Sequence, residues 1–195
     1  MKHTILSGSS RKNSTSLQVS RAIERVLGEL GESEIEVVDF EDYDIPFFNE
    51  ELDVQNLSPF QTRLANAMRS ADSIIFITPE YNWFPSAEIV HLVHRMAGSV
   101  FKDLWDNKVF SFVGVSTGRG GRMPTVQLGY VVDKIINVFS FDSVTNPKSF
   151  EVQFAGQVLD EEGNSLGSPE FDKGLKAFTN YHIRLSKRWV AGHKA

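Results

Sequence analysis

Ser73-Ile74-Ile75-Phe76-Ile77-Thr78 runs without a break into Pro79-Glu80-Tyr81-Asn82-Trp83-Phe84-Pro85. The first half is short, β-branched and continuously apolar, the pattern of a strand buried on both faces, which belongs at the centre of a parallel sheet. The second half is polar and aromatic and leads into a helical pattern over residues 86–97, with Ile89, Leu92, Val93 and Met96 on one stripe. Parallel neighbours of such a strand require crossover helices.

Upstream, Thr4 to Leu6 is a short apolar run, and a loop rich in hydroxyls separates it from an amphipathic helix at about 16–30. Ile35-Glu36-Val37-Val38-Asp39 reads as the next strand, so strand, helix and strand form a parallel pair with a right-handed crossover. Residues 40–57 have neither period and read as a loop; Ser58-Pro59-Phe60-Gln61 then opens a helix with a cap, a first-turn proline and a capping-box glutamine. Downstream, Lys108 to Ser116 is a fourth buried strand, Pro124 opens a helix, and Val138-Phe139-Ser140-Phe141 reads as a fifth strand. Phe150 to Phe154 reads as an edge piece, 160–168 as a surface turn, and Ser168-Pro169 starts a last helix with Phe171, Leu175, Phe178, Leu185 and Trp189 inward. The sum is a doubly wound α/β fold, a five-stranded parallel sheet with helices on both faces, in one domain over 1–195.

Composition narrows the function. Cysteine is absent, which excludes disulfides, thiolate nucleophiles and thiolate metal sites, so redox chemistry would come from a cofactor. A net charge of -5 without a basic cluster argues against nucleic acid and anionic membranes as partners. No stretch approaches the ~20 apolar residues of a membrane span, and no signal-peptide run is present, so a cytoplasmic protein is expected.

Three loops fall at the carboxyl ends of strands, where open α/β sheets bind ligands. In Gly8-Ser9-Ser10-Arg11-Lys12-Asn13-Ser14-Thr15-Ser16 a strand enters a helix through hydroxyl residues, so free amides and the positive helix end can converge on a phosphate, with Ser9, Ser14, Thr15, Ser16 and Arg11 as further donors. The same residues also suit an ordinary helix cap, with Thr15-x-x-Gln18 as its capping box. Neither a dinucleotide fingerprint nor a Walker loop occurs. Pro79, Glu80, Tyr81, Asn82 and Trp83 form the second loop, and Thr117-Gly118-Arg119-Gly120-Gly121 the third, whose glycines let backbone approach a flat ligand. His91-x-x-His94 admits a metal reading, but two histidines without a third ligand equally describe a solvated or interfacial face. The aromatics of 40–57 either meet a ligand or second subunit or bury their own rings.

Gly8-Ser9-x-Arg11-x-x-Ser14, Thr78-Pro79-Glu80-Tyr81-Asn82 after a buried strand, and Ser116-Thr117-Gly118-Arg119-Gly120-Gly121 together resemble the NADPH-dependent FMN reductase family, which has a flavodoxin-like fold. The resemblance implies FMN as cofactor, with Ser9, Arg11, Ser14 and Ser16 on its phosphate, Glu80, Tyr81 and Asn82 beside the isoalloxazine, and Gly118, Arg119 and Gly120 along its pyrimidine edge. It implies ping-pong hydride transfer from NADPH through FMN to a small acceptor such as a quinone, azo compound, metal ion or free flavin. It also implies a homodimer or homotetramer, and exposed Phe47, Phe48, Trp83 and Phe84 would supply an apolar patch for pairing. Arg119 serves the flavin, a nicotinamide phosphate or only solvent. Two departures stand out: Ser16 replaces a usual asparagine, and Pro85-Ser86-Ala87-Glu88-Ile89-Val90 replaces the usual Pro-Gly-x-Leu-Lys-Asn helix start. The alternatives are a flavodoxin-like electron carrier that does not turn over NADPH, and an α/β domain that binds another phosphate or no cofactor.

Overall fold

A computed structural model of the protein describes residues 1–193; the last two residues of the domain expected over 1–195 lie outside them. Its elements are β1 (Lys2–Ser7), α1 (Thr15–Glu29), β2 (Glu34–Asp39), α2 (Pro59–Ser70), β3 (Ser73–Pro79), α3 (Ala87–Met96), β4 (Val109–Val115), α4 (Arg122–Phe139), β5 (Val144–Thr145), β6 (Phe150–Val152), α5 (Ala155–Val158) and α6 (Pro169–His193). The strands form one parallel sheet in the order β2-β1-β3-β4-β5. The order reverses between β1 and β3, so the crevice of the doubly wound fold opens outside their carboxyl ends.

Every residue of β3 and β4 is buried, as their unbroken apolar runs require. Side-chain alternation sends Phe76, Phe110 and Phe112 to one face, against Leu64 and Met68 of α2, Leu92 of α3 and Leu128 and Val132 of α4. Ile75, Ile77, Val113 and Val115 face the other way, onto Val19, Ile23 and Leu27 of α1 and Phe171, Leu175 and Phe178 of α6. Helices therefore cover both faces. α2 begins as its sequence dictates: Ser58 Oγ accepts the Gln61 N–H at 3.1 Å, and Gln61 Oε1 accepts the Ser58 N–H at 3.2 Å.

The fifth strand is not where the sequence puts it. Val138 and Phe139 end α4, and Ser140, at φ 52, closes the helix in a left-handed turn. The fifth position is instead shared by two fragments: β5 pairs with Val109 and Phe110, and β6 with Val113 to Val115, both parallel. Pro147, which has no N–H for a ladder, lies between them. The loop over 40–57 divides likewise. Phe40 and Ile45 are buried, while Phe47 and Phe48 are 68% and 66% exposed.

A polar seam crosses the core beneath α6. His3, Ser73, Ser111 and His182 are fully buried, and Asn146 and Glu32 nearly so. The Glu32 carboxylate only accepts, so His3 donates to it through Nε2 at 3.2 Å and accepts at Nδ1 from Ser73 Oγ at 2.7 Å. His182 Nε2 then donates to Ser73 Oγ at 3.1 Å, Ser111 Oγ donates to His182 Nδ1 at 2.8 Å, and Asn146 Nδ2 donates to Ser111 Oγ at 2.9 Å. All donors point toward Glu32, which Lys187 meets at 2.9 Å. Burial holds both imidazoles neutral: it drives His182 down to about 3, and it lowers His3 despite the opposing pull of Glu32.

Candidate functional site

The chain leaves β1 pressed against β3. Gly8 donates to Ile77 O at 2.8 Å, and a Cβ on Gly8 would stand 2.3 Å from Ile89 Cγ1, so only glycine passes here. Asn13 takes a left-handed φ of 48, and Ser14 caps α1 by accepting the Leu17 N–H at 3.1 Å. The cap is thus Ser14, not Thr15, and the Thr15-x-x-Gln18 capping box does not form. Ser16 is fully buried in the first turn, and its hydroxyl has no hydrogen-bond partner. A buried, partnerless hydroxyl is costly in a finished core, and this one is free to donate to a group placed beside it.

That position faces a cleft of about 340 Å³ lined by Ser9, Arg11, Ser14, Thr15, Ser16, Pro79, Glu80, Tyr81 and Thr117. Nine of the residues singled out in the sequence therefore meet in one place. Lys12, Asn13, Gln18 and Val115 also line it and were missed; the first three are signalled only by their position inside or beside the hydroxyl loop, and Val115 only as the last residue of β4 before the third loop. The Arg11 guanidinium lies 5.2 Å from the Tyr81 ring centroid and so spans the first two loops. Lys12 stands 3.9 Å from Glu41. Positive charge and open amides at a helix start, with a planar rim beyond, suit a phosphate carrying a flat ring.

Five expected residues lie outside the cleft lining: Asn82, Trp83, Gly118, Arg119 and Gly120. Tyr81 and Phe84 exchange backbone hydrogen bonds at 3.0 Å, and Asn82 and Trp83 form the intervening turn at φ 51 and 71. This two-residue turn projects Trp83, 69% exposed, away from the cleft lining. The third loop borders the cleft through Thr117 only. Gly118, Arg119 and Gly120 stand behind that residue, with Gly120 against the Glu80 carboxylate and Arg119 exposed.

The unusual start of α3 has a structural use. Ser86 caps the helix and donates to Gly8 O at 2.6 Å, while Glu88 accepts the N–H and hydroxyl of Ser10. The first turn of α3 thereby grips the first loop from behind. His91 accepts the Tyr43 hydroxyl at Nδ1, 2.9 Å away, and stacks on Phe47 with centroids 4.9 Å apart, so it latches the 40–57 loop onto α3.

Residues 1–146 match the model of a protein family described as NADPH-dependent FMN reductase. A quinone reductase of Pseudomonas putida strain KT2440 is 28% identical over 117 residues, which is 60% of this chain and 61% of that protein; the match thus spans less than two thirds of the curated relative. Among solved structures, FerB, a flavoenzyme NAD(P)H:(acceptor) oxidoreductase from Paracoccus denitrificans, aligns with a TM-score of 0.76 at 18% identity over 96% of this chain and 97% of its own. An NADH:FMN oxidoreductase in its apo form aligns with a TM-score of 0.64 at 14% identity over 94% and 89% of the two chains. A flavodoxin from the domain Archaea aligns at 0.52 and 11% identity over 97% and 99%. At these identities the structural likeness is one of fold.

Proposed function

The chain belongs to the NADPH-dependent FMN reductase family, and from that premise we propose that it is an NAD(P)H-dependent oxidoreductase holding FMN in the cleft at the carboxyl ends of β1 and β3. The observation that carries this reading is the buried, partnerless Ser16 hydroxyl at the start of α1, in a cleft that Arg11 also lines. Ser16, Thr15 and Ser9 would donate to the phosphate, and Arg11 would meet its charge with a planar fork. Pro79, Glu80 and Tyr81 would border the ring, mostly through backbone, with the third loop along its far edge. When bound, FMN supplies the redox chemistry, accepting hydride from NAD(P)H and then reducing a small acceptor in a ping-pong sequence. The named relative supports a quinone as that acceptor; azo compounds, metal ions and free flavin are the other classes in its reach.

The chain's own part is to bind, orient and exclude water. No helix among the described residues is long and apolar enough to cross a membrane, and the lack of cysteine suits a reducing cytoplasm. The working unit is a homodimer or homotetramer. Phe84, Val126 and Tyr130 are 63%, 54% and 74% exposed around an apolar groove of about 500 Å³ between α3 and α4, a patch that pairing would cover. Phe47 and Phe48, both exposed, add further apolar surface beside His91 of α3.

One experiment tests the enzymatic reading. The purified protein, supplied with FMN, should be yellow and should bleach on anaerobic addition of NADPH before any acceptor is present. A flavin that stays oxidised with NADPH yet bleaches with dithionite would favour an electron carrier, and a protein that takes up no FMN would sink the cofactor assignment. Sedimentation equilibrium at micromolar concentration should give at least twice the 21.9 kDa of one chain. A mass that stays at one chain rejects the dimer.

A further inference from the structure

The cleft contains one carboxylate in its wall, and that carboxylate is engaged by protein backbone. Glu80 follows β3, and its N–H donates to Val115 O at 2.8 Å, continuing the pairing of β3 with β4 by one residue. Its side chain turns to the third loop, where Oε2 accepts the Gly121 N–H. A Cβ on Gly120 would stand 2.6 Å from Oε1. On the opposite side Gly121, at φ +96, lies against β4 so closely that a Cβ on Gly114 would meet Gly121 O at 1.9 Å. The third loop is therefore held between a strand and a carboxylate: glycine is required at Gly114 and Gly121, where a side chain would meet backbone, while a Cβ on Gly120 would push aside the end of the Glu80 side chain.

Glu80 is also free of any salt bridge among the described residues, and the group lines the same cleft as Arg11 and Ser16. From this geometry we infer that Glu80 is a positioning residue that holds the third loop at the flavin site, and that its negative charge sets the bound FMN at a low reduction potential. The inference rests on the flavin reading given above. A fixed negative charge in the wall opposes the anionic reduced ring more than the neutral oxidised one, so oxidised FMN is held more tightly and the reduced form is a stronger donor toward an acceptor.

Two substitutions separate geometry from charge. Glu80→Gln keeps an acceptor oxygen for the Gly121 N–H and removes the charge. Its affinity for oxidised FMN should stay within about twofold of the parent, while that for reduced FMN rises on the order of tenfold, a positive shift of about 30 mV for a two-electron couple. Glu80→Ala removes the clamp, so in the protein without FMN the Gly121 amide should exchange on the order of tenfold faster and FMN affinity should fall on the order of tenfold. A Glu80→Gln protein with FMN bound at an unchanged potential overturns the charge role. A Glu80→Ala protein with unchanged Gly121 exchange and FMN affinity overturns the positioning role. A parent protein that takes up no FMN overturns the flavin reading instead, and the exchange measurement still decides whether the clamp exists.

Discussion

The seam around His182 and the cleft around Ser16 both bury hydroxyls beside cationic or ionisable groups, yet they differ in completion. In the seam every polar atom from Asn146 to Glu32 has a partner, and the donors run in one direction. In the cleft the Ser16 hydroxyl has none. A closed network supports the fold, because each member would be costly to leave unpaired. An open one is available to a ligand, as proposed above for FMN. Burial alone does not distinguish structural from functional polarity, since His182 and Ser16 are equally hidden.

The largest test of that contrast is His182→Ala. It strands Ser111 and Ser73 and leaves a cavity under the sheet, so chemical denaturation should show a loss of about 3–5 kcal/mol; a loss below about 1 kcal/mol would mean the seam carries little of the fold. Acid is the next. His182 sits at about 3 in the folded protein and near the ordinary 6.5 when unfolded. The unfolded chain thus binds the extra proton between those values, so this stability is present above 6.5 and is lost as pH falls toward 3. Between pH 7 and pH 5 the expected decline from this residue is about 2 kcal/mol, and His182→Gln should flatten it. A parent protein with level stability across that window would contradict a neutral buried imidazole.

On the cleft side, Arg11→Ala should weaken FMN ten- to hundredfold, about 1.5–3 kcal/mol for a hydrogen bond to a charged group, with little change in unfolding. Fluorescence titration of the apoprotein measures it, and unchanged affinity removes Arg11 from the phosphate site. The finest comparison uses one substitution twice. Ser111→Ala should destabilise by about 1–3 kcal/mol because His182 and Asn146 lose their partner, whereas Ser16→Ala should leave the apoprotein within about 0.5 kcal/mol of the parent while FMN binding weakens. Equal destabilisation by both would erase the distinction between the two regions.

Much of this was legible because the signals were local. The β3 run, the Ser58-Pro59-Phe60-Gln61 start and the three loops after strands each follow from a few adjacent residues. The fifth strand failed for a physical reason: Ile135, Val138 and Phe139 keep a helical spacing into an apolar stretch that imitates a strand, while the real strand is two fragments too short to alternate. Trp83 sits outside the cleft lining because a left-handed turn leaves its ring exposed at the end of an otherwise cleft-forming loop, a conformation its neighbours do not announce. The seam had no apolar signature. On α6 the inward positions Leu175, Phe178, Thr179, His182, Ile183 and Ser186 hold a helical spacing, but half of them are polar and read as solvent-facing without their partners on β1, β3 and β4. Leu185 and Trp189, expected inward, are only partly buried.

The split fifth strand also governs how this protein can associate. An open sheet edge is a template on which a second chain can add a strand. Here one edge is broken into pieces of two and three residues with Pro147 between them. At the other edge Arg63 donates to the Val37 carbonyl at 2.7 Å, and Glu34 and Glu36 alternate along β2. Each margin thus carries a feature that opposes strand addition, and the pairing proposed above would run through helices rather than through the sheet.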